Sequence, residues 1–458
     1  MNRIFILSVN TATEPYPVYP LGMAVIAAAL IRRGHEVRQF DFLAAGCSRD
    51  ALRQDLAEFT PDYVCVSLRN IDTVDSFATE KDWYLSVAKE LIELARGVTA
   101  VPIIVGGSGF SIMPEEILDF TGADYGVVGE GEVAVCELVA ALTDHIPMSR
   151  IIDGNRAPLS DMQMSAPHFE QGLLEYYTAQ GGIIGMPTKR GCPYICGYCT
   201  YPALEGRRFR AMMPEEVVDN LERLWLDNGI DSIFFTDSIF NDPADNYLQL
   251  AEELLRRNLP IKWSAFFRPQ GINREKIALL KQSGLYAVEF GTDAASDTAL
   301  RALKKRFSFA EALEASEACL AEQVPCAHFV IFGGPDETSA TVEEGLRNME
   351  QLGRAVVFAF SGIRILPHTD IHARAVREGS ISVKTALLKP LYYFSPQIDP
   401  EEMNAAITKS FHGQSNRIFP PPAGREKMAI LRRLGLRGIL WDKLISFSSK
   451  TECVDVGV

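Results

Sequence analysis

Two stretches of the chain alternate between short strand-like runs and longer runs whose apolar residues recur every three or four positions. In the first 145 or so residues the strand-like runs are RIFILSV (3–9), HEVRQFDF (35–42), DYVCVSL (62–68), VPIIVGG (101–107) and ADYGVVG (123–129). Between them LGMAVIAAALIRRG, DALRQDLAEF, WYLSVAKELIELARG and EVAVCELVAAL carry helical periodicity. Apolar strands separated by helices predict a parallel sheet covered on both faces. Gly34 is placed to cap the first helix at its C-terminus. The second stretch repeats the alternation: GIIGMPT (182–188), IDSIFFTD (230–237), IKWSAFF (261–267), YAVEFGT (286–292), CAHFVIFG (326–333) and AVVFAFSGIRILP (355–367). Helical patterns such as PEEVVDNLERLWLDNG and FAEALEASEACLAEQ fall between. Six strand–helix units predict a partial (β/α)6 barrel of the TIM type.

The expected fold class is therefore α/β. A doubly wound, Rossmann-like sheet spans 1–145, a linker without periodicity 146–180, the partial barrel 181–378, and a small, mainly helical extension 379–458. A doubly wound sheet binds ligands at the carboxyl ends of its strands. The loops there are TATEPYPVYP, RNIDTVDSFATEKD, GGSGF and GEGE, and the small residues Gly106, Gly107, Ser108 and Gly109 let a ligand approach the backbone closely.

Composition narrows the function. With 458 residues, 47% apolar and 23% charged, the chain can bury a large core without disulfide staples. A net charge of −14 disfavours binding to bulk nucleic acid. Locally, Lys189, Arg190, Arg207, Arg208 and Arg210 form either an anion patch or a solvated rim. The longest apolar run, Leu21 to Ile31, is well short of the roughly 18–20 residues a membrane span requires. The N-terminus MNRIFILSVN reads as a strand, not a signal peptide. Cys47, Cys65, Cys136, Cys319, Cys326 and Cys453 are scattered singly, which predicts reduced thiols and a cytoplasmic location.

The remaining three cysteines, Cys192, Cys196 and Cys199, lie within eight residues of KRGCPYICGYCTYPALEGRRFR. Structural zinc wants a fourth ligand and usually a second pair, and a CxxC dithiol leaves Cys192 unexplained. Three thiolates in CxxxCxxC spacing can hold three irons of a [4Fe-4S] cube and leave the fourth iron open. This trio, just after the first strand of the second series, resembles that of the radical SAM superfamily. The resemblance implies that the open iron binds S-adenosylmethionine (SAM) and that one electron cleaves it to a 5′-deoxyadenosyl radical. The electron would come from an external donor such as flavodoxin or ferredoxin, and such chemistry is oxygen-sensitive. Tyr198 matches the family's aromatic before the third cysteine. In FTDSIFND, Asp237 is the candidate for the SAM amino group. In VEFGTDAAS, Thr292, Asp293 and Ala294 stand where the family often has Ile-Glu-Ser, so the ribose role would fall to Asp293. HFVIFGGPDET is similar to the fifth-strand motif, with Gly333 and Gly334 against adenine. Arg268 and Arg364, at the ends of the third and sixth strands, are candidates for carboxylates of SAM or substrate.

In the front domain, YPLGMAVIAAALIRRGHEV, IIVGGSGFSIMPEEIL and DYGVVGEGE are similar to the cobalamin-binding domain of cobalamin-dependent radical SAM enzymes. The resemblance covers residues 1 to about 375. It implies cobalamin contacts at Leu21, Ser67, Arg69, Gly106, Gly107, Ser108, Glu130 and Gly131. The DxHxxG motif of many cobalamin proteins is absent, since Asp370-Ile-His372 lacks the glycine and lies in the barrel half. His35 reads as a packing residue. Cobalt would then have no histidine beneath it, and Arg69 and Asn70 are candidates for that lower face.

The expected activity is methylation of an unactivated carbon on a small molecule or peptide through methylcobalamin, with SAM as radical precursor and methyl source. The same cofactors also serve rearrangement or oxidative ring formation. A methylthiotransferase would need a second cluster from Cys47, Cys65 and Cys136, but Cys65 falls in an apolar strand and Cys136 in a helix, where thiols pack. A non-catalytic sensor would need no open iron, and SAM cleavage excludes it. The final segment, with YYF, HGQSNRIFPPP and REKMAILRRLGLRGILWDKLI, either closes the barrel or packs as a helix; packing is favoured.

Overall fold

The computed structural model describes residues 1–156, 158–160, 164 and 166–446. Cys453, the end of the expected extension (447–458) and positions 157, 161–163 and 165 of the expected linker lie outside the described residues. The chain forms two compact units: Met1–Ile261 with Ile363–Tyr393, and Lys262–Gly362 with the chain from Phe394 onward.

The first unit opens with strands β1 (Arg3–Ser8), β2 (Glu36–Asp41), β3 (Tyr63–Ser67), β4 (Ile103–Gly106), β5 (Tyr125–Val128) and β6 (Ile151–Asp153). All pair in parallel, in the order β2-β1-β3-β4-β5-β6. Helices α1 (Leu21–Arg32), α2 (Arg49–Phe59), α3 (Tyr84–Val98), α4 (Pro114–Thr121) and α5 (Gly131–Thr143) connect them. Ile4, Phe5, Ile6 and Leu7 of β1 are all at or below 1% exposure, as a central strand covered on both faces requires. Gly34 follows α1 at φ +80°, the left-handed geometry that stops a helix.

Beyond α5 the segment expected as a structureless linker holds β6, a three-residue edge strand too short to show a period, and α6 (Gln171–Gly181). The second strand series then begins with β7 (Ile184–Met186). A small hairpin of β8 (Lys189–Arg190) and β9 (Arg210–Ala211) brackets the cysteine loop and α7 (Tyr201–Leu204). After α8 (Pro214–Asn228), β10 (Ser232–Phe235) pairs in parallel with β7, and α9 (Tyr247–Arg257) ends the segment.

The second unit continues the alternation with β11 (Lys262–Phe267), α10 (Arg274–Gln282), β12 (Leu285–Asp293), α11 (Asp297–Ala302), α12 (Phe309–Ala321), β13 (Cys326–Phe332), α13 (Ser339–Glu350) and β14 (Val356–Ser361). Neighbouring strands here are parallel. The expected strand 355–367 is broken at Gly362, which takes φ +73°; a Cβ there would lie 2.5 Å from the Phe394 ring. Past that break the chain returns to the first unit as β15 (Ile363–Arg364), α14 (Asp370–Arg377) and β16 (Tyr392–Tyr393), with β15 and β16 antiparallel. The rest of the second unit is α15 (Pro400–Phe411), β17 (Arg417–Ile418), α16 (Pro421–Arg433) and α17 (Trp441–Ser446). β17 pairs in parallel with β14 and adds a seventh strand to the six expected of the second series. Trp441 is buried against Phe358, ring centroids 5.3 Å apart, so the final helix packs on the second unit's sheet. The architecture is α/β throughout, a Rossmann-like sheet followed by a radical-SAM-type series of parallel strands.

Candidate active site

The order β2-β1-β3 reverses direction at β1, and a doubly wound sheet opens a crevice at such a switch point. A cavity of about 350 Å³ lies there. Its walls include Leu21, Ser67, Arg69, Gly106, Gly107, Ser108, Glu130 and Gly131, while Asn70 and Gly109, also singled out from the sequence, are not among the lining residues. Gly107 is required by the backbone, since at φ +103° a Cβ would stand 2.5 Å from the Leu68 carbonyl oxygen. Ser108 Oγ donates to the Arg69 carbonyl at 2.8 Å, pinning the β3 and β4 loops together. Arg69 is half-buried and has no carboxylate partner among the described residues; burial pulls its pKa below the usual arginine value. With the Asn70 amide oriented to suit, its oxygen accepts from Arg69 Nη2 at 3.2 Å and its nitrogen donates to the Arg69 carbonyl at 3.1 Å.

The far wall of the same cavity is built by the flanks of the cysteine loop, including Pro187, Lys189, Arg190, Tyr201, Leu204 and Glu205. Cys192 is buried, Tyr198, Cys196 and Cys199 are half-buried, and none of the three cysteines is in a disulfide. Backbone bonds hold the loop: Cys192 N–H to the Gly206 carbonyl at 3.0 Å, Cys199 N–H to the Cys196 carbonyl at 3.1 Å, and Ile371 N–H to the Gly197 carbonyl at 3.0 Å. Gly191 enters the loop at φ +89°, and a Cβ there would fall 2.0 Å from the Arg208 carbonyl oxygen.

Three of the five basic residues around the loop, Lys189, Arg190 and Arg210, form neither an anion patch nor a solvated rim. Arg190 bonds Glu132 at 2.5 Å and Arg210 bonds Glu130 at 2.6 Å, tying the start of α5 to the β8–β9 hairpin. Glu130 also accepts from Leu159 N–H at 2.7 Å. Burial raises its pKa, but the bonds from Arg210 and Leu159 and the charge of Arg190 outweigh that and hold it below the usual value. Lys189 is buried against Asp237 at 3.4 Å, and only Arg207 and Arg208 are exposed. Asp237 in turn accepts from Thr188 N–H at 2.8 Å, Lys189 N–H at 3.1 Å and the Thr188 hydroxyl. The residue expected to meet the SAM amino group thus has both oxygens engaged by its own chain.

Residues 7–139 match the B12 binding domain family and residues 186–349 the Radical SAM superfamily. The chain is a cobalamin-dependent radical SAM enzyme. It is 27% identical to the tryptophan 2-C-methyltransferase of Streptomyces laurentii, over 81% of this chain and 74% of that protein. It is 26% identical to an uncharacterized methyltransferase of Pyrococcus horikoshii, over 73% of each. Other relatives bear the names of a hopanoid C-3 methylase and an anaerobic magnesium-protoporphyrin IX monomethyl ester cyclase. The fold matches the radical S-adenosylmethionine methyltransferase TsrM of Kitasatospora setae, solved with cobalamin and a [4Fe-4S] cluster, at TM-score 0.85 and 24% identity over 97% of each chain.

The crevice of this radical SAM enzyme fits cobalamin on its own chemistry. Asn10, just past β1, is 7% exposed; its Oδ1 accepts from Ala12 N–H at 3.1 Å, but its Nδ2 is buried without a partner in the cavity wall. An orphaned amide donor suits the carbonyl-rich rim of a corrin. Sequence reasoning missed Asn10; the signal was a polar residue directly after an apolar strand. No histidine lines the crevice among the described residues. His35 instead accepts from Asn2 N–H at 3.3 Å, as a packing residue. For the cluster, no three His, Cys, Asp or Glu side chains among the described residues gather as a single metal ion would need. A four-iron cube spreads its thiolates more widely, and three cysteines outside any disulfide on one braced loop would supply its donor set.

In the second unit, Asp293 ends β12 at φ +61° and ion-pairs with Lys305. Gly333 takes φ +87° after β13, its carbonyl accepting from Ser395 N–H at 2.9 Å, and Gly334 N–H donates to Glu337 at 2.6 Å. Arg268 is buried and donates to Gln270 at 2.8 Å and to the Lys305 carbonyl, with its guanidinium 5.1 Å from the Phe307 ring centre. Arg364 departs from expectation. Because Gly362 breaks the sixth strand, Arg364 lies in the first unit, paired with Asp72 at 2.8 Å and bonded to the carbonyls of Ile365 at 2.7 Å and Leu387 at 2.8 Å. It is 4% exposed, a structural ion pair with no free head for a cofactor carboxylate. Among the described residues no helix is long and apolar enough to cross a membrane.

Proposed function

We propose that the enzyme is a C-methyltransferase acting on an unactivated carbon of a small molecule or peptide. The observation that carries this reading is the shared cavity: residues flanking the cysteine loop, Lys189, Arg190 and Tyr201 among them, line one space with the loops of the crevice. When bound, cobalamin supplies a transferable methyl group, and the cluster with SAM supplies a radical at carbon. The chain's part is to hold these groups close and keep water from them. Lys189, Arg190 and Glu205 give the cavity a polar wall on the cluster side, and the paired Glu130 and Glu132 neutralise the adjacent arginines. Arg69 in the crevice wall would help hold the cofactor, and its guanidinium, which has no ligating lone pair, would supply a cation there and not a metal ligand. The methyltransferase names of several relatives add to the same reading.

The test is anaerobic reconstitution with iron, sulfide and hydroxocobalamin, then mass spectrometry of SAM products under reduction by flavodoxin or a chemical donor. Formation of both 5′-deoxyadenosine and S-adenosylhomocysteine, with cobalamin bound, supports the methyltransferase. Deoxyadenosine alone, with cobalamin bound, replaces it with ring formation or rearrangement, the chemistry named for the cyclase relative. Neither product from a cluster-loaded protein leaves a cofactor-binding sensor.

A further inference from the structure

Two cations of the basic run are left over once the ion pairs around the cysteine loop are assigned. Arg207 and Arg208 are exposed, and neither has a carboxylate partner among the described residues. The carboxylates near them in the chain and across the hairpin are already engaged. Glu205 accepts from Gly191 N–H at 3.1 Å, and Glu130 and Glu132 hold Arg210 and Arg190. The adjoining turn is tied to α7 by Asn155, whose Nδ2 donates to the Ala203 and Leu204 carbonyls at 3.3 and 3.2 Å. That turn adds Asp153 and Arg156, which meet at 3.9 Å and offset one another. The loop therefore presents two uncompensated guanidinium groups on a chain whose net charge is −14.

These arginines ride on the backbone that braces the cysteine loop. The Gly206 carbonyl, one residue before Arg207, accepts from Cys192 N–H at 3.0 Å. The Arg208 carbonyl packs on Gly191, where a Cβ would fall 2.0 Å from its oxygen. A carrier seated against this segment is separated from the first cluster cysteine by one hydrogen bond and a few covalent bonds, a short path for an electron. Beside the arginines, Phe209 and Tyr194 are half-buried and meet edge to face, ring centroids 6.5 Å apart, and Pro193 is exposed. Arginine and flat aromatic side chains are the groups that protein interfaces favour at their contacts.

We infer that Arg207 and Arg208, with the Phe209–Tyr194 pair, are the docking surface for an acidic electron-carrier protein of the flavodoxin class. The inference rests on the radical SAM reading above and adds the partner of that site. SAM cleavage consumes one electron, and the cysteine loop is where it must arrive. Two exposed cations steer an acidic carrier to this loop, while the acidic remainder of the chain repels it. The aromatic pair and Pro193 give a flat apolar contact, which suits the exposed edge of a flavin. The donor's flavin passes from its two-electron-reduced to its one-electron-reduced state, the cluster gains that electron, and no bond forms or breaks.

The experiment mixes reduced flavodoxin anaerobically with the full-length protein loaded with cobalamin and cluster. Freeze-quenching then follows the EPR signal of the one-electron-reduced cluster. The rate should fall steeply with added salt, which screens exposed charges. Arg207→Glu with Arg208→Glu should lower it roughly ten- to hundredfold at low salt and remove most of the salt dependence. Arg207→Lys with Arg208→Lys should keep it within about threefold, because charge does the steering. Methyl viologen radical cation, a small carrier that needs no docking surface, should reduce the charge-reversed protein at least as fast as the wild type. Iron content of each variant checks that the cluster has loaded. A flavodoxin rate unchanged by charge reversal overturns the inference, as does an equal slowing of flavodoxin and methyl viologen. Dependence on the arginines with reduced ferredoxin but not with flavodoxin overturns the choice of a flavoprotein. A loaded wild type that methyl viologen reduces and flavodoxin does not removes this inference alone. A protein that loads no cluster, or cleaves no SAM with either reductant, removes the reading beneath it.

Discussion

Replacing Asp237 by alanine separates a structural role from a role in holding SAM. In the structure its side chain is 1% exposed and that of its partner Lys189 is 4% exposed. Removing the carboxylate strands a buried ammonium, which then keeps the Phe240 carbonyl and the Phe240 and Phe209 rings but no counter-charge among the described residues. It also leaves the Thr188 and Lys189 amides without the acceptor they share. Breaking a buried pair from one side costs about 3–5 kcal/mol. In a unit of this size that is a fall in Tm of roughly 10 °C. Lys189→Met made in the Asp237→Ala background should recover part of the loss, because the stranded charge goes with it. The assay is thermal unfolding of the cluster-free, SAM-free protein followed by circular dichroism. Lys189 opens the hairpin that leads to Cys192, so the same variant should also load less iron. A wild-type Tm, with only SAM affinity lost, refutes this reasoning and returns Asp237 to the SAM amino group.

Three further predictions follow from local geometry. Gly191→Ala forces a side chain to within 2.0 Å of the Arg208 carbonyl at a left-handed φ, and iron content after reconstitution should drop sharply while cobalamin binding survives. Asn10→Leu removes a buried donor without a partner among the described residues together with the oxygen that accepts from Ala12 N–H, so stability should change by no more than about 1 kcal/mol while cobalamin affinity falls about three- to tenfold, read by dialysis. Burial raises the Glu337 carboxyl to about 7, against the lowering effect of the Gly334 and Gly333 amides. Its folded pKa exceeds its unfolded one, so the stability it contributes is complete below about pH 4.5 and is lost as pH rises to about 7. The loss is roughly 3 kcal/mol. Glu337→Gln should flatten that part of the profile of urea midpoint against pH; an unchanged slope counts against a buried, protonated Glu337.

What could be read in the sequence was whatever depends on spacing along the chain. The trio of Cys192, Cys196 and Cys199 carries its chemistry in eight residues, and the strand–helix alternation carries the parallel sheets, so both were legible. The crevice residues were legible for a related reason: a doubly wound sheet places its strand ends together, and Ser67, Gly107 and Glu130 follow from that rule alone. What failed were claims about where long side chains go. Arg364 sits at the end of an apolar run that looks continuous, but one glycine with a phenylalanine ring against it ends the strand and delivers the guanidinium to Asp72. Three residues of the basic run at 189–210 look like part of an open patch because their partners, Glu130, Glu132 and Asp237, are distant in sequence and adjacent only once folded. β6, α6 and β17 escaped notice because two of them are too short to show a period and the third buries only a few of its residues. Glu289 shows the same limit from the other side. Inside VEFGTD it is one acidic residue in a strand, and only the fold reveals that its neighbours are Phe266, Trp441 and the space beside Gly291. A charged residue in an apolar strand is costly unless the fold neutralises it or gives it a partner. At Glu289 burial does the first, raising its carboxyl to about 8, and the Trp441 indole gives one oxygen its partner.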